Sequence, residues 1–312
     1  MNKEKISILG TGTMGHSIAL GAAMAGFPIK IWGHSESDVV KGQADMAGKL
    51  AVLLDEGVID SAQFADIKGK IVFGLDMEET LRGVTFVIEA VPEILTLKQE
   101  LYQKLDNLCD ENVVLASNTS GLSPSEISKL MTRPERMVVT HFWNPGHLIP
   151  LVEVVRGEKT NDKTVLRAMD LMNAMGKKPI EVKKDIAGFI GNRLQYALFR
   201  EAQYILDQGI ASVEDIDVAV KYSIGRRLSV TGPFVSADMG GLDVFDNISS
   251  YLFEDLSKDN QSLPTMANLV KKGKFGQKNG AGFYEWTAEF SEEMNKAREK
   301  ELIEWLKKDL NS

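Results

Sequence analysis

Through residue 185 the chain alternates short apolar runs with stretches whose apolar positions recur at helical spacing. The runs open at Lys5, at Phe27–Trp32, Lys70–Phe73, Thr85–Glu93, Asn112–Ser117, Arg136–His141, Leu151–Val155 and Pro179–Val182, and each reads as a strand. Between them lie helical patterns over 38–79 (Met46, Leu50, Leu53 and Leu54, with a return through Gly57), 94–102 and 164–175. Strands buried on both faces and separated by helices predict an α/β fold built on a doubly wound sheet, complete at about residue 185. Past a join at Lys183–Ile186 the short runs stop. Helical spacing then covers 189–208, 213–221, 233–256 and 263–272, which predicts a separate all-helical domain over 186–312. Its end, 288–310, carries a stripe of Met294, Ala297, Leu302, Ile303, Trp305 and Leu306, as expected of a helix docked on the body or on a second subunit.

Composition narrows the function. A net charge of -8 in 312 residues argues against nucleic-acid or anionic-membrane partners, which favour basic surfaces. No apolar run is long enough to span a bilayer, and the chain enters its first strand with no signal or transit segment, so a cytoplasmic protein is expected. One cysteine, Cys109, forms no internal disulfide, and with four scattered histidines a metal site is not expected.

Chemistry gathers at the predicted strand ends. The first strand runs into Gly10-Thr-Gly-Thr-Met-Gly15 and a helical pattern, a GxGxxG in the strand–turn–helix setting of a Rossmann dinucleotide site. Gly10 allows the tight turn, Gly12 lets backbone approach a pyrophosphate, Gly15 lets helix meet strand, and Thr13 and Met14 complete the loop. The second strand ends in Gly33-His34-Ser35, where a carboxylate for the ribose 2′-OH is expected. Without it His34 and Ser35 could bind a 2′-phosphate, which leaves NADP open beside NAD with Glu36 or backbone on the ribose. The Thr85–Glu93 strand ends in Glu89 and Glu93, with Lys98 in the helical pattern after it, and these three are candidates for the cofactor's ribose and nicotinamide side. Ser117-Asn118-Thr119-Ser120-Gly121 is either a helix cap or a set of donors, with Asn118 assigned to the cofactor. His141-Phe-Trp-Asn-Pro-Gly-His-Leu-Ile-Pro-Leu-Val-Glu153 then sets a histidine and a glutamate at two predicted strands. Such a pair is commonly a satisfied buried contact; at this edge it is also a candidate general base with its orienting carboxylate.

In order, GTGTMG, SNTSG, HFWNP…LVEV, DIAGFIGNR, GPFVSADMGGLDVF and GQKNGAGFYEW resemble the L-3-hydroxyacyl-CoA dehydrogenase family over nearly the whole chain. The resemblance implies an NAD-binding Rossmann domain, a helical domain that forms most of a homodimer interface, and interconversion of a 3-hydroxyl and a 3-ketone by hydride transfer, an activity of fatty acid metabolism. It implies that His141 is the catalytic base, that Glu153 orients it, and that Ser120 and Asn192 contact the substrate oxygen and the histidine. Glu93 and Lys98 match family residues at the cofactor. Where acyl-CoA members carry lysines, this chain has Asp55, Glu56 and Pro150, which resembles the subgroup acting on free hydroxy acids of gulonate, carnitine or pyridine-carboxylate type. On that reading Trp143 and His147 shape a compact pocket, and Arg226 or Arg227 either pairs a substrate carboxylate or stays solvated or at a dimer interface. A family relative in the eye lens offers a third reading, a dinucleotide-binding structural protein; keeping His141, Glu153, Ser120 and Asn192 together argues against it.

Overall fold

The computed structural model describes residues 4–311. Eight strands, β1 (Ile6–Leu9), β2 (Ile29–Trp32), β3 (Ile71–Gly74), β4 (Phe86–Glu89), β5 (Val114–Ser117), β6 (Met137–Phe142), β7 (Leu151–Val155) and β8 (Lys178–Val182), form one sheet in the order β3-β2-β1-β4-β5-β6-β7-β8. β1 to β6 pair in parallel, the doubly wound sheet expected from the alternating pattern. β7 departs from it: β6 and β7 are antiparallel, and β8 runs parallel to β7. The reason is connection length. Residues 143–150 are too few for the helical crossover that a parallel return needs, so the chain doubles back on itself.

Helices α1 (Thr13–Met24), α2 (Glu36–Asp55), α3 (Ser61–Gly69), α4 (Met77–Leu81), α5 (Leu95–Leu108), α6 (Pro124–Ile127) and α7 (Asp162–Ala174) connect these strands. Alternate strand residues feed two apolar layers. Ile6, Ile8, Ile29, Ile31 and Ile88 pack with Ile18 and Leu20 of α1, Met46, Leu50 and Leu53 of α2, and Leu171 of α7. Leu9, Val87, Leu115 and Val139 pack on the other side with Tyr102 and Leu105 of α5 and with Phe189.

The remaining helices are α8 (Gly191–Asp207), α9 (Val213–Tyr222), α10 (Ile224–Gly240), α11 (Leu242–Asp255), α12 (Pro264–Lys271) and α13 (Ala288–Leu310). The chain divides into two compact units, one of the described residues through Asn192 with those from Arg298 onward, the other Arg193–Ala297. The last stretch of α13 thus groups with the sheet, not with the helical part to which the 186–312 expectation assigned it, because Ile303 is buried in the sheet's apolar layer with Leu302 and Leu306 against it. The 233–256 pattern, expected as one helix, breaks at Gly241, whose φ of 90° lies in the region only glycine enters freely and ends α10. In the Arg193–Ala297 unit, α9 to α12 bury none of their residues, and Val230, Phe234 and Met239 are 78%, 85% and 76% exposed. Among the described residues no helix is long and apolar enough to cross a membrane.

One buried charge sets the approach to β6. Asp106 on α5 accepts from Thr132 N and Oγ1, both at 2.7 Å, from Arg133 N at 3.1 Å and from Arg136 Nη2 at 2.7 Å. Burial alone would raise its carboxyl, but these donors outweigh it and hold the group down at about 2. A depressed carboxylate stabilises the fold above its unfolded value near ~4 and loses that contribution as pH falls toward 2. Asp106→Ala leaves Arg136, only 4% exposed, without its carboxylate. We expect a loss of about 3–5 kcal/mol in urea unfolding at pH 7, and a difference from wild type that shrinks as pH is lowered below 4.

Candidate active site

β1 ends at Leu9 and α1 begins at Thr13, so residues 10–12 make the whole turn. Gly10 has φ of 109°, and a Cβ there would lie 2.6 Å from the Ala90 carbonyl oxygen. A Cβ on Gly15 would lie 1.9 Å from the Gly10 carbonyl oxygen, so the first helical turn closes on the loop only because this residue is glycine. Gly12 instead faces open space, with nothing within 4 Å of its Cβ position. No side chain caps α1 there, which leaves first-turn amides, those of Thr13 and Met14 among them, for an incoming anion. A dinucleotide's pyrophosphate fits these features: room at Gly12 and free amides at a helix start.

The end of β2 favours NAD. A Cβ on Gly33 would meet Val39 Cγ2 at 2.5 Å, so this packing admits no carboxylate side chain at that position. Ser35 caps α2, accepting from Asp38 N at 3.2 Å and donating to Asp38 Oδ2 at 2.8 Å. His34 sets its ring edge-on to Trp32. The Ser35 hydroxyl is therefore already engaged, and the carboxylate beside it repels a 2′-phosphate.

The expectation that Glu89 and Lys98 face the cofactor meets a structure that buries both. Lys98 Nζ donates to Glu89 Oε1 at 2.6 Å, and the Ser117 hydroxyl and Val91 N complete the shell around Glu89. Their charges neutralise one another behind the strand ends, where an unpaired one would be costly. Glu93 remains half exposed, pairs with Lys98 at 3.3 Å, and accepts from the Thr119 hydroxyl and from Ser120 N, thereby holding the SNTSG turn. Asn118 Oδ1 accepts from Phe142 N at 2.8 Å and ties the end of β5 to β6. Asn192 Nδ2 donates to the Ser120 carbonyl at 2.9 Å, which brings those two residues together, but neither of them hydrogen-bonds His141.

His141 and Glu153 stand directly opposite in the antiparallel β6–β7 register. His141 Nδ1 lies 2.8 Å from Glu153 Oε2; a carboxylate only accepts, so Nδ1 carries a hydrogen, and in the neutral tautomer that this selects Nε2 holds the lone pair. Among the described residues no group pairs with that Nε2. Glu153 has no exposed surface, and three more donors hold it: Trp143 Nε1 at 3.3 Å on Oε2, and Ile190 N and Gly191 N at 2.8 and 3.0 Å on Oε1. Burial pushes its carboxyl up, but the bonds from His141, Gly191 and Ile190 prevail and keep it below its ordinary value.

Several of these contributors are not among the expected residues. Phe189 sits at φ of 52°, unusual for a side chain of this size, and that conformation turns the next two amides onto Glu153 while its ring packs 5.6 Å from the His141 ring. The signal was the GFIG within DIAGFIGNR, two glycines around a short run just before a helix. His147, expected in the substrate pocket, lies instead behind α1, with Nδ1 2.8 Å from the Ser17 hydroxyl. The loop packs directly on α1 there: a Cβ on Gly21 would lie in ordinary contact, 3.5 Å from His147 Cα. Trp143 does stand at the pair, its ring 5.6 Å from that of His141.

The chemistry open to this edge is narrow: a fixed neutral imidazole can take a hydroxyl proton while a nicotinamide dinucleotide takes the hydride, which is the work of an NAD-dependent dehydrogenase. Comparison with known proteins gives the same class. The model for the 3-hydroxyacyl-CoA dehydrogenase NAD binding domain matches residues 5–186, and that for the C-terminal domain of the same enzymes matches 188–286. The chain belongs to the 3-hydroxyacyl-CoA dehydrogenase family, oxidoreductases acting on CH–OH with NAD. It is 34% identical to 5-formyl-3-hydroxy-2-methylpyridine 4-carboxylate 5-dehydrogenase of Mesorhizobium japonicum, over 96% of each chain. It is 33% identical to a probable 3-hydroxybutyryl-CoA dehydrogenase of Bacillus subtilis, over 92% of this chain and 98% of that one. The crystal structure of a 5-formyl-3-hydroxy-2-methylpyridine 4-carboxylic acid 5-dehydrogenase, described as an NAD+-dependent dismutase, overlays with a TM-score of 0.91 over 98% of both chains at 33% identity.

Gly191 tests how tightly this arrangement is held. A Cβ there would fall 2.4 Å from Trp143 Cζ2, so Gly191→Ala must displace either the indole or the amide on Glu153. We expect kcat to fall by about 100-fold, the scale for misplacing a catalytic group by an ångström, with NADH affinity by fluorescence titration little changed.

Proposed function

We propose that the protein interconverts a small free hydroxy acid and its carbonyl form with NAD, using His141 as general base in oxidation and general acid in reduction. The observation that carries this reading is the 2.8 Å bond from His141 Nδ1 to buried Glu153, which fixes the tautomer that base catalysis at Nε2 requires. Bound NAD supplies the hydride acceptor. Gly10, Gly12, Thr13, Met14 and Gly15 hold its pyrophosphate, and the Glu93-braced turn presents Ser120 beside Asn192 to the reacting oxygen. Glu153 favours the imidazolium once His141 has taken the proton and so lowers the cost of its formation.

Two features favour a free acid over acyl-CoA. Asp55 and Glu56 lie exposed at the end of α2, where they oppose a nucleotide phosphate rather than pair with one. A relative at 34% identity and a solved structure that overlays with a TM-score of 0.91 act, by their names, on a pyridine carboxylate. Acyl-CoA turnover is the second reading, supported by the 3-hydroxybutyryl-CoA relative. We further propose a homodimer, formed through the exposed apolar surface of α10 and α11, because patches of this kind on a folded unit mark an interface. A cytoplasmic setting suits its single, buried cysteine.

His141→Asn should lower kcat by about 10²–10⁴-fold at saturating NAD; near-wild-type turnover would remove His141 from the mechanism. A turnover screen with NAD and NADP, setting acetoacetyl-CoA against free hydroxy acids that include pyridine carboxylates, should show kcat/KM at least about tenfold higher for a free acid with NAD. Robust reduction of acetoacetyl-CoA would establish the second reading instead.

A further inference from the structure

Behind the dinucleotide turn lies a set of polar side chains that the reaction does not use. His16, 1% exposed, follows Gly15 directly on α1. Its Nδ1 lies 3.1 Å from the Thr11 carbonyl oxygen and its Nε2 2.9 Å from Lys49 Nζ, which reaches across from α2. A carbonyl only accepts, so Nδ1 bears the hydrogen; Nε2 is then the acceptor, and the Lys49 ammonium donates to it. The ring is therefore neutral. Burial, reinforced by the Lys49 charge, outweighs the carbonyl bond and keeps it below its ordinary value.

Thr11 is the middle residue of the turn between Gly10 and Gly12. Its hydroxyl donates to the Asp38 carbonyl at 2.9 Å, and a Cβ on Gly42 would lie 2.9 Å from its carbonyl oxygen, so α2 already presses against this peptide. Lys49 in turn is influenced by Asp45 on its own helix and by Glu299. Glu299 belongs to the stretch from Arg298 that groups with the sheet, beyond the residues matched by the family models.

We propose that Lys49 is a positioning residue for the cofactor: acting through His16, it fixes the Thr11 peptide and with it the turn that receives the NAD pyrophosphate. This rests on the reading that the turn binds NAD. The hydrogen bond aligns the peptide before the cofactor arrives, so its loss appears as weaker binding rather than slower chemistry.

The test is fluorescence titration of NADH with steady-state kinetics and thermal melting on Lys49→Met, Lys49→Arg, His16→Gln and the double variant His16→Gln/Lys49→Met. Lys49→Met should weaken NADH binding and raise the KM for NAD by about tenfold, with kcat at saturating NAD within about twofold of wild type. Lys49→Arg, which keeps a cationic donor, should recover most of the affinity. The double variant should bind no more weakly than the weaker single variant, because the two residues act in series. Unchanged NADH affinity in Lys49→Met, an arginine variant as weak as the methionine one, or additive losses in the double variant would each overturn the inference. Failure of the wild type itself to bind NADH would overturn the cofactor reading and this inference together.

Discussion

The antiparallel pairing that sets His141 across from Glu153 is the constraint from which the rest of the site follows. In the antiparallel β6–β7 step, two residues twelve apart become direct neighbours on one face. This buries a carboxylate completely, a state tolerated only when donors surround it. The imidazole supplies one. The others, Trp143 Nε1 and the amides of Ile190 and Gly191, come from a loop and from the start of α8, so the demand for partners around one charge determines where those segments go. Phe189 in a left-handed conformation and the missing side chain at Gly191 are consequences of meeting it.

The same logic recurs at both ends of the strands. Glu89 at the end of β4 is closed off by Lys98, Ser117 and Val91, and Asp106 gathers the segment that leads into β6. Each centre ties a strand end or its approach to a neighbouring element through short, charge-assisted bonds. Removing either partner leaves the other uncompensated in a low dielectric, so these contacts resist deformation more than their net contribution to stability indicates. The edge that meets the cofactor is in this way braced from behind, which favours a site assembled before its ligands bind.

What the sequence disclosed follows from which signals are local. GxGxxG and the strand runs were legible because turn, period and composition act over a few residues, and Gly10 takes the positive φ that the tight turn requires, while Gly15 closes on the Gly10 carbonyl. The β7 direction was obscured because a strand reads alike in either sense; only the short span 143–150 carried the information. A charge such as Glu89 at a strand end looks the same in sequence whether it faces a ligand or a buried partner, so its pairing with Lys98 emerges only in three dimensions. The same holds for His147: its environment is Ser17, some 130 positions away, and no local pattern encodes that contact. Gly33 announced a missing acid, yet the reason for it, Val39 packed against its α-carbon, emerges only in three dimensions.

These placements bear on how substrate choice is divided within the sheet unit. The loop between His141 and Glu153 holds Trp143, His147 and Pro150, but most of it faces away from the pair. Lys177 Nζ donates to the carbonyls of Gly146 and Ile149, His147 is held by Ser17, and the Pro150 carbonyl accepts from Lys178 N. A loop anchored in this way can set the position of Trp143 but cannot adapt its other side chains to a ligand. Of the side chains in that loop, Trp143 is the one in contact with the pair, through both its ring and its Nε1. Trp143 is thus the loop side chain that the fold sets against the His141–Glu153 pair, while the pair itself is fixed by backbone register, independently of the rest of the loop.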